Sequence, residues 1–219
     1  MSRPGRPRKD EQDIRREQLL EQAVRLFGEY GYGGLSLETI AREAQVSLRT
    51  IYSQFGGKAG LFSAAIRRYS DFFVAALPVD RVNTATLGAI LVEFAREYLY
   101  RLTRPELIRL RSQFMAEAHR FPELAQEFYS QGPERTLKHL ARFFQIQQKQ
   151  GVIADNHPDF LAGQFVNALR GERFQRLQLG LDSSPTRQEV DRWAIDVVRL
   201  FLHGCLTPGA KPKAQSASE

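Results

Sequence analysis

Apolar side chains recur at helical spacing through almost the whole of this 219-residue chain. Strands usually show sustained alternation of apolar and polar residues, or Asn-Gly and Asp-Gly hairpin turns, and the sequence has neither. The first stripe runs from Ile14 to Tyr30, and a cluster of glycines is expected to end that helix: Gly28, Gly31, Gly33 and Gly34. The pattern predicts an all-α fold.

Two short helices joined by a tight turn are predicted directly after the glycines. Ser36 and Ser47 stand where each helix would be N-capped. Ala41 at the helix crossing, Val46 in the turn and Ile51 in the second helix would face inward, which gives a helix-turn-helix. Such a second helix fits the major groove of DNA, which is roughly 12 Å wide. Its outer face would then carry Leu48, Arg49, Thr50 and Ser53.

Longer helices are predicted for the rest of the chain. One begins at Lys58 and runs toward Pro78, and it must serve both halves of the molecule. The apolar stripes place the others at about 82–103, 105–120, 122–150, 158–180 and 186–204. We expect the 122–150 helix to be interrupted at Gly132-Pro133.

Charge is distributed unevenly along the chain. The formal net charge is +6, which permits nucleic-acid binding without proving it. Residues 1–9 hold four basic side chains and no acidic one, whereas residues 10–58 hold six basic and eight acidic side chains, a balance of −2. The segment RPGRPRK, with Arg6 and Arg8, is similar to minor-groove arms of the AT-hook kind. A solubilising disordered tail is the alternative for this segment.

The helix-turn-helix region resembles one protein family closely. The stretch LSLETIAREAQVSLRTIYSQFGGKAGLF, and LLEQAVRLFGEYGYGG before it, resemble the signature of TetR-type bacterial regulators over about residues 14–66. Tyr52, Phe55 and Lys58, in a Y-x-x-F-x-x-K pattern, are the most telling. The chain departs from the family at Gln45, where Gly is usual, and at Gln54, where His is frequent.

The resemblance implies a homodimer that binds double-stranded DNA. By matching positions, Arg49 and Thr50 would read bases and Leu48 would make an apolar base contact. Phosphate contacts would come from Tyr52, Gln54, Lys58, Ser36, Thr39 and Ser47. The alternatives are that the two serines are only helix caps, that Tyr52 only packs, and that Lys58 is an ordinary solvated lysine.

The C-terminal half resembles the family less strongly. The run AEAHRFPELAQEFY is similar to the C-terminal domain of AefR-like regulators. The resemblance implies an apolar pocket for an unknown small-molecule effector, which we expect to be lined by Phe94, Tyr98, Phe114 and Phe144. Plain hydrophobic core is the alternative for each of these residues.

The resemblance also suggests how the chain is divided. We expect a basic flexible arm (1–12), a three-helix helix-turn-helix DNA-binding domain (13–60), a helical ligand-binding and dimerisation domain (61–207) and a disordered tail (208–219). The apolar residues of the 186–204 helix span roughly 240°, against roughly 100° for a helix that packs on one side only. Trp193, Val197 and Phe201 are therefore expected at a dimer interface, the alternative being a helix buried within its own fold.

Several classes of protein are excluded by what the sequence lacks. It has no GxxxxGK[ST], GxSxG or HExxH motif and no histidines at metal-ligand spacing, so we expect no enzyme, metal site or cofactor. One cysteine, Cys205, fits a reducing compartment. The N-terminus lacks the apolar part of a secretory signal, and no apolar run approaches the roughly 18 residues of a membrane span. The expectation is a cytoplasmic protein without a membrane partner.

The functional prediction is a transcriptional repressor that a mostly apolar small molecule releases from a palindromic operator. Two alternatives stay open at this point. The protein could activate transcription instead, or it could bind DNA constitutively with no small-molecule ligand. The sequence identifies neither the effector nor the operator.

Overall fold

A computed structural model describes residues 9–77 and 84–203, and within these residues all regular secondary structure is helical, with no strand. The all-α prediction is confirmed. The ten α-helices are α1 (Lys9–Gly34), α2 (Leu37–Glu43), α3 (Leu48–Phe55), α4 (Lys58–Ala75), α5 (Thr84–Leu102), α6 (Pro105–Glu117), α7 (Pro122–Tyr129), α8 (Arg135–Lys149), α9 (Pro158–Gln178) and α10 (Arg187–His203). Arg6, Arg8, Cys205 and the 208–219 tail lie outside the described residues.

The first helix is longer than its apolar stripe predicts. It begins at Lys9, inside the predicted 1–12 arm, and it passes through Gly28 without a break. A Cβ at Gly28 would lie 3.0 Å from the backbone nitrogen of Leu110, so this glycine allows α1 and α6 to pack closely. The interruption comes at Gly31, whose φ of 71° and ψ of 170° are not helical.

The helix-turn-helix has the predicted caps and the predicted core. The Ser36 Oγ accepts a hydrogen bond from the Thr39 backbone at 3.1 Å, and the Ser47 Oγ accepts one from the Thr50 backbone at 3.0 Å. Ala41 and Ile51 are buried and Val46 is half-buried against the core. These local interactions fix α2 and α3 and expose the other side of α3 to solvent.

The turn between α2 and α3 is strained at Gln45. Its φ of 54° makes it the one non-glycine residue with positive φ among those the structure describes. The departure from the family's glycine therefore has a conformational cost, since a side chain is disfavoured in the left-handed region by about 1–2 kcal/mol.

We expect Gln45→Gly to raise the free energy of unfolding by about 0.5–1 kcal/mol. Relief of the left-handed strain outweighs the extra backbone entropy that glycine loses on folding. Urea denaturation of the full chain measures the difference. In Gln45→Val, a β-branched side chain takes the same backbone angles, so the free energy of unfolding should fall below that of the wild type. A Gly variant less stable than the wild type would contradict this account.

The C-terminal half packs α5, α6, α8, α9 and α10 around one apolar core, with α4 shared between the two halves. A π-helical turn, Ser130–Glu134, joins α7 to α8 at the predicted Gly132-Pro133 interruption. The helical path continues there because the wider turn accommodates Pro133, which has no backbone N–H to donate. An interruption of α9 at Gly171, with a φ of 48°, was not predicted.

Candidate functional site

The outer face of α3 presents polar and aromatic side chains on a rigid support. Arg49, Tyr52 and Gln54 are exposed, with Tyr52 at 60%, while Ile51 on the opposite face is fully buried. Leu48, at the start of the helix, is also exposed. Burial of one face orients the other, so these side chains project together from a helix whose own rotation is fixed.

The hydroxyls near the helix starts already have partners inside the protein. The Ser47 Oγ lies 2.8 Å from the Thr50 Oγ1, and the Ser36 Oγ lies 3.1 Å from the Thr39 Oγ1, in addition to the capping bonds. The capping alternative for both serines is therefore present in the structure. The Thr50 hydroxyl is already bonded, but its methyl group can contact a thymine methyl.

Two arginines that the sequence did not single out lie beside α3. Arg15 and Arg16, exposed near the start of α1, line a groove together with Ser47, Thr50 and Gln54. The Arg16 guanidinium also lies 5.4 Å from the centre of the Phe55 ring. A pair of arginines at the start of the first apolar stripe was the available signal for a phosphate-binding position.

Two acidic side chains of this domain form ion pairs with arginines outside it, which reduces its negative balance. Glu17 pairs with Arg68 and Glu21 with Arg104, both across the junction with the C-terminal half. Within residues 9–77 and 84–203, the arginines next to the groove make no ion pair: Arg15, Arg16 and Arg49. Positive charge is thus left unpaired on the same side of the domain as the outer face of α3.

The structure gives Lys58 internal contacts, so it is not an ordinary solvated lysine, and its phosphate contact stays a prediction. Its Nζ donates to the carbonyl oxygens of Tyr32 and Leu35, at 2.7 Å each, and lies 4.4 Å from the centre of the Tyr32 ring. Burial lowers the pKa of Lys58, and the Glu117 carboxylate partly opposes that shift. The sequence suggested phosphate contact because it could not show that two carbonyls lie within reach.

Glu117, at the end of α6, holds the same loop from the other side. Its Oε2 accepts hydrogen bonds from the backbone of Tyr32 at 2.7 Å and of Gly33 at 3.1 Å. The segment 31–35, which we call the junction loop, is therefore bonded to the first residue of α4 and the last residue of α6. Both of those helices continue into the C-terminal half.

Lys58→Ala is expected to lower the free energy of unfolding by about 2–3 kcal/mol, because two carbonyls lose a charged donor. The slope of log K for DNA against log salt should stay unchanged, since the Nζ is already bonded to the two carbonyls. Arg16→Ala is the comparison: it should flatten the slope by about 1 and leave stability nearly unchanged. A flatter slope in Lys58→Ala with no loss of stability would support the phosphate role.

A cavity lies in the C-terminal half among α4, α5, α6, α8 and α9. The space between its atoms is about 640 Å³, part of it open to solvent, and its walls are mainly apolar. The lining includes Tyr69, Phe73, Tyr98, Phe128 and the two arginines Arg111 and Arg170. Apolar walls with a few polar groups are the character of a small-molecule site.

Three of the four residues predicted to line this cavity are placed elsewhere. Tyr98 does line it. Phe94 and Phe144 are fully buried, with rings 6.1 and 6.2 Å from that of Phe165, and they belong to the core. Phe114 is buried behind Phe128, with the two rings stacked at 4.3 Å. Helical periodicity could not separate them, because core and cavity faces are equally apolar.

Polar residues of the cavity wall were missed by sequence reasoning. Arg170 donates from its Nε to the Tyr98 hydroxyl at 2.9 Å. The Arg111 Nε and the Tyr69 hydroxyl are buried without a hydrogen-bond partner. The available signal was an arginine inside an apolar stripe, since Arg111 directly follows Leu110 and Arg170 directly follows Leu169.

The last helix uses most of its apolar arc within its own chain. Phe201, predicted at a dimer interface, packs its ring 4.8 Å from that of Phe165 and is half-buried. Trp193 and Val197 are also half-buried against the core. The apolar side chains that α9 and α10 leave exposed are Ile195 (44%), Leu200 (50%) and Phe160 (54%).

Two general features complete the description. In the part of the chain that the structure describes, no group of three or more His, Cys, Asp and Glu side chains is arranged to hold a metal ion. None of the described helices combines the length and apolarity needed to cross a bilayer.

The small head with an exposed, supported second helix defines a helix-turn-helix DNA-binding transcription regulator. Residues 19–65 match the model of the tetR family of bacterial regulatory proteins, and residues 89–204 match that of the C-terminal domain of AefR-like transcriptional repressors. The chain belongs to the TetR family. As a regulator of this family it is not an enzyme.

Solved structures and curated relatives agree with the family. The flavonoid-responsive regulator FrrA is 31% identical, and the similarity covers 90% of this chain and all of that one, with a TM-score of 0.65. A putative TetR-family regulator from Mesorhizobium loti MAFF303099 is 26% identical over 87% of this chain and 96% of that one, with a TM-score of 0.69. The regulator YezE of Bacillus subtilis is 29% identical over 132 residues, which are 60% of this chain and 61% of YezE.

Proposed function

We propose that the protein is a repressor that binds a palindromic operator as a homodimer and leaves it when a mostly apolar small molecule occupies the cavity. The observation that carries the proposal is that the same two helices, α4 and α6, form walls of the cavity and bond to the junction loop at their ends. The matched AefR-like domain, described as that of a repressor, supports the direction of regulation.

Few residues separate the cavity from the junction loop of the DNA-binding domain. On α4, Tyr69 and Phe73 line the cavity and Lys58 holds the junction loop; on α6, Arg111 lines the cavity and Glu117 holds the same loop. A ligand that shifts either helix changes how the loop sets α1 against α2 and α3. The size of its effect is limited by its difference in affinity between the DNA-bound and released conformations.

Titration of small molecules into a protein–operator complex tests ligand release. Flavonoids are the first probes, because FrrA responds to them and aromatic rings line this cavity. We expect at least one compound to weaken operator binding, and the operator to weaken the binding of that compound by the same factor. If no flavonoid or other apolar probe changes operator affinity, the protein is a constitutive DNA binder.

The dimer is proposed to form through exposed faces of α9 and α10. Ile195, Leu200 and Phe160 carry large apolar side chains that remain about half exposed in the described part of the monomer. A four-helix bundle about a two-fold axis would bury them. DNA reading also favours two copies, because one short helix contacts only a few base pairs.

Leu200→Glu is expected to give a folded monomer that no longer binds a palindromic site. The side chain is exposed in the monomer, so a charge there costs the fold little, whereas it would be unpaired in the dimer interface. Light scattering at micromolar concentration and circular dichroism give the two readouts. Gln188→Glu, an exposed charge change at the other end of α10, should remain dimeric. Wild-type protein that scatters as a monomer would contradict the dimer.

A further inference from the structure

Among the described residues that line the cavity, two carry a positive charge and none carries a negative one. Arg111 and Arg170 are both among its lining residues, and none of the lining residues is Asp or Glu. Like charges facing one apolar space repel each other, and each loses hydration there. Such an arrangement needs a partner to offset it.

Arg111 has no such partner inside the protein. In the described part of the chain it makes neither a hydrogen bond nor an ion pair, and its Nε is buried without an acceptor. Burial lowers the pKa of Arg111, and the nearby charge of Arg170 lowers it further. A half-buried cation whose buried Nε lacks an acceptor destabilises the fold, so an external partner is the simplest reason for it.

The carboxylates next to the lining residues in sequence are all engaged elsewhere. Asp71 pairs with Arg135, and Glu134 pairs with Lys138 at 2.9 Å. Glu127 accepts a hydrogen bond from the Ser63 hydroxyl. These three carboxylates therefore offer the two arginines no counter-ion unless one of these bonds breaks.

The polar atoms that stand without partners in the cavity wall are donors. The Arg111 Nε can only donate, and the buried Tyr69 hydroxyl has a proton to donate. Arg170 supplies further N–H groups beside the Tyr98 hydroxyl. Around them the wall is aromatic and aliphatic, with Phe73 and Phe128 on it. The complementary ligand has acceptor oxygens at one end and an apolar body.

We infer that the molecule taken by this cavity is an organic acid: an oxyanion, a carboxylate or a phosphate, on an apolar body, bound through Arg111 and Arg170. The inference rests on the proposed function, because it names the chemistry of the same effector site. Guanidinium groups pair with both kinds of oxyanion through two parallel hydrogen bonds.

Thermal unfolding of the full chain with matched pairs of probes tests the inference. The pairs are octanoate with octanamide and 2-naphthoate with 2-naphthamide, and octyl phosphate separates phosphate from carboxylate. We expect at least one acid to raise the Tm more than its neutral amide does. Arg111→Met should weaken binding of that acid by about tenfold or more and leave the amide unaffected.

Arg109→Met is the matched control. Arg109 is exposed on the same helix, and its substitution removes the same charge. It should keep the preference for the acid. Without any probe, Arg111→Met should raise the Tm relative to both the wild type and Arg109→Met, since it removes an unpaired buried cation. A larger rise in Tm with octyl phosphate than with octanoate would identify the oxyanion as a phosphate.

The inference is overturned if no acid raises the Tm of the wild type more than its amide does. It is also overturned if that difference in Tm persists in Arg111→Met. The proposed function fails separately. If a neutral amide released the protein from the operator, ligand-controlled repression would be supported and the inference that the ligand is an acid would be contradicted. If an acid bound through Arg111 without changing operator affinity, the acid-binding site would be supported and the proposed release from the operator by ligand would be contradicted.

Discussion

Replacing Arg49 with alanine is expected to weaken binding to the preferred DNA site by about 1–3 kcal/mol and to relax the sequence preference. Arg49 is exposed on the second residue of α3, where a helix in the major groove brings side chains to base edges. No ion pair in the described residues restrains its guanidinium, which can pair with the O6 and N7 atoms of a guanine. Titrations against the preferred site and random DNA at several salt concentrations measure both effects.

Arg16→Ala is the control for Arg49→Ala. Arg16 borders the same surface from α1, so its loss should weaken binding to all sequences by a similar factor. Only Arg49→Ala should reduce the ratio between preferred and random DNA. If Arg49→Ala weakened both kinds of DNA equally, the base-reading role would be wrong.

Gly31→Ala is expected to lower the free energy of unfolding by about 3 kcal/mol. The backbone angles at Gly31, φ 71° and ψ 170°, lie in a region that is essentially restricted to glycine. A Cβ there would also lie 3.0 Å from the Glu117 carboxylate, which holds the junction loop. Urea denaturation measures the loss of stability, and DNA affinity should fall with it because the loop connects α1 to α2.

Gly34→Ala separates this effect from a general intolerance of substitution in the glycine cluster. Nothing lies within 4 Å of a Cβ at Gly34, so alanine meets no clash there. We expect a change of less than about 0.5 kcal/mol. Equal losses in the two variants would mean that the bond network around Gly31 does not hold the loop.

Features that depend on near neighbours were predictable from the sequence. The spacing of apolar residues predicted the helices, and the serines ahead of α2 and α3 predicted their caps, because both involve residues a few positions apart. Burial of Ala41 and Ile51 followed from the same spacing. The glycine cluster interrupts α1 directly after Tyr30, as expected, but Gly28 is explained by the approach of α6 and not by local conformation.

Roles that depend on distant residues were not predictable in this way. Lys58 meets carbonyls 26 and 23 positions earlier in the chain, and nothing in its local pattern indicates them. The contact between the rings of Phe201 and Phe165 was also not predicted, and the interface role of Phe201 stays a prediction. The cavity arginines were overlooked because a charged residue beside an apolar stripe is more often at the helix edge than in a pocket.

Selection of random DNA fragments by the purified protein, followed by their sequencing, tests the central claim most directly. A two-fold dimer with one recognition helix per protomer predicts an enriched inverted repeat, with half-sites about one helical turn or more apart. Arg49→Ala should select the same spacing with a weaker base preference in each half. Enrichment of a single, non-repeated site, or of no sequence at all, would contradict the account of this protein as an operator-binding dimer.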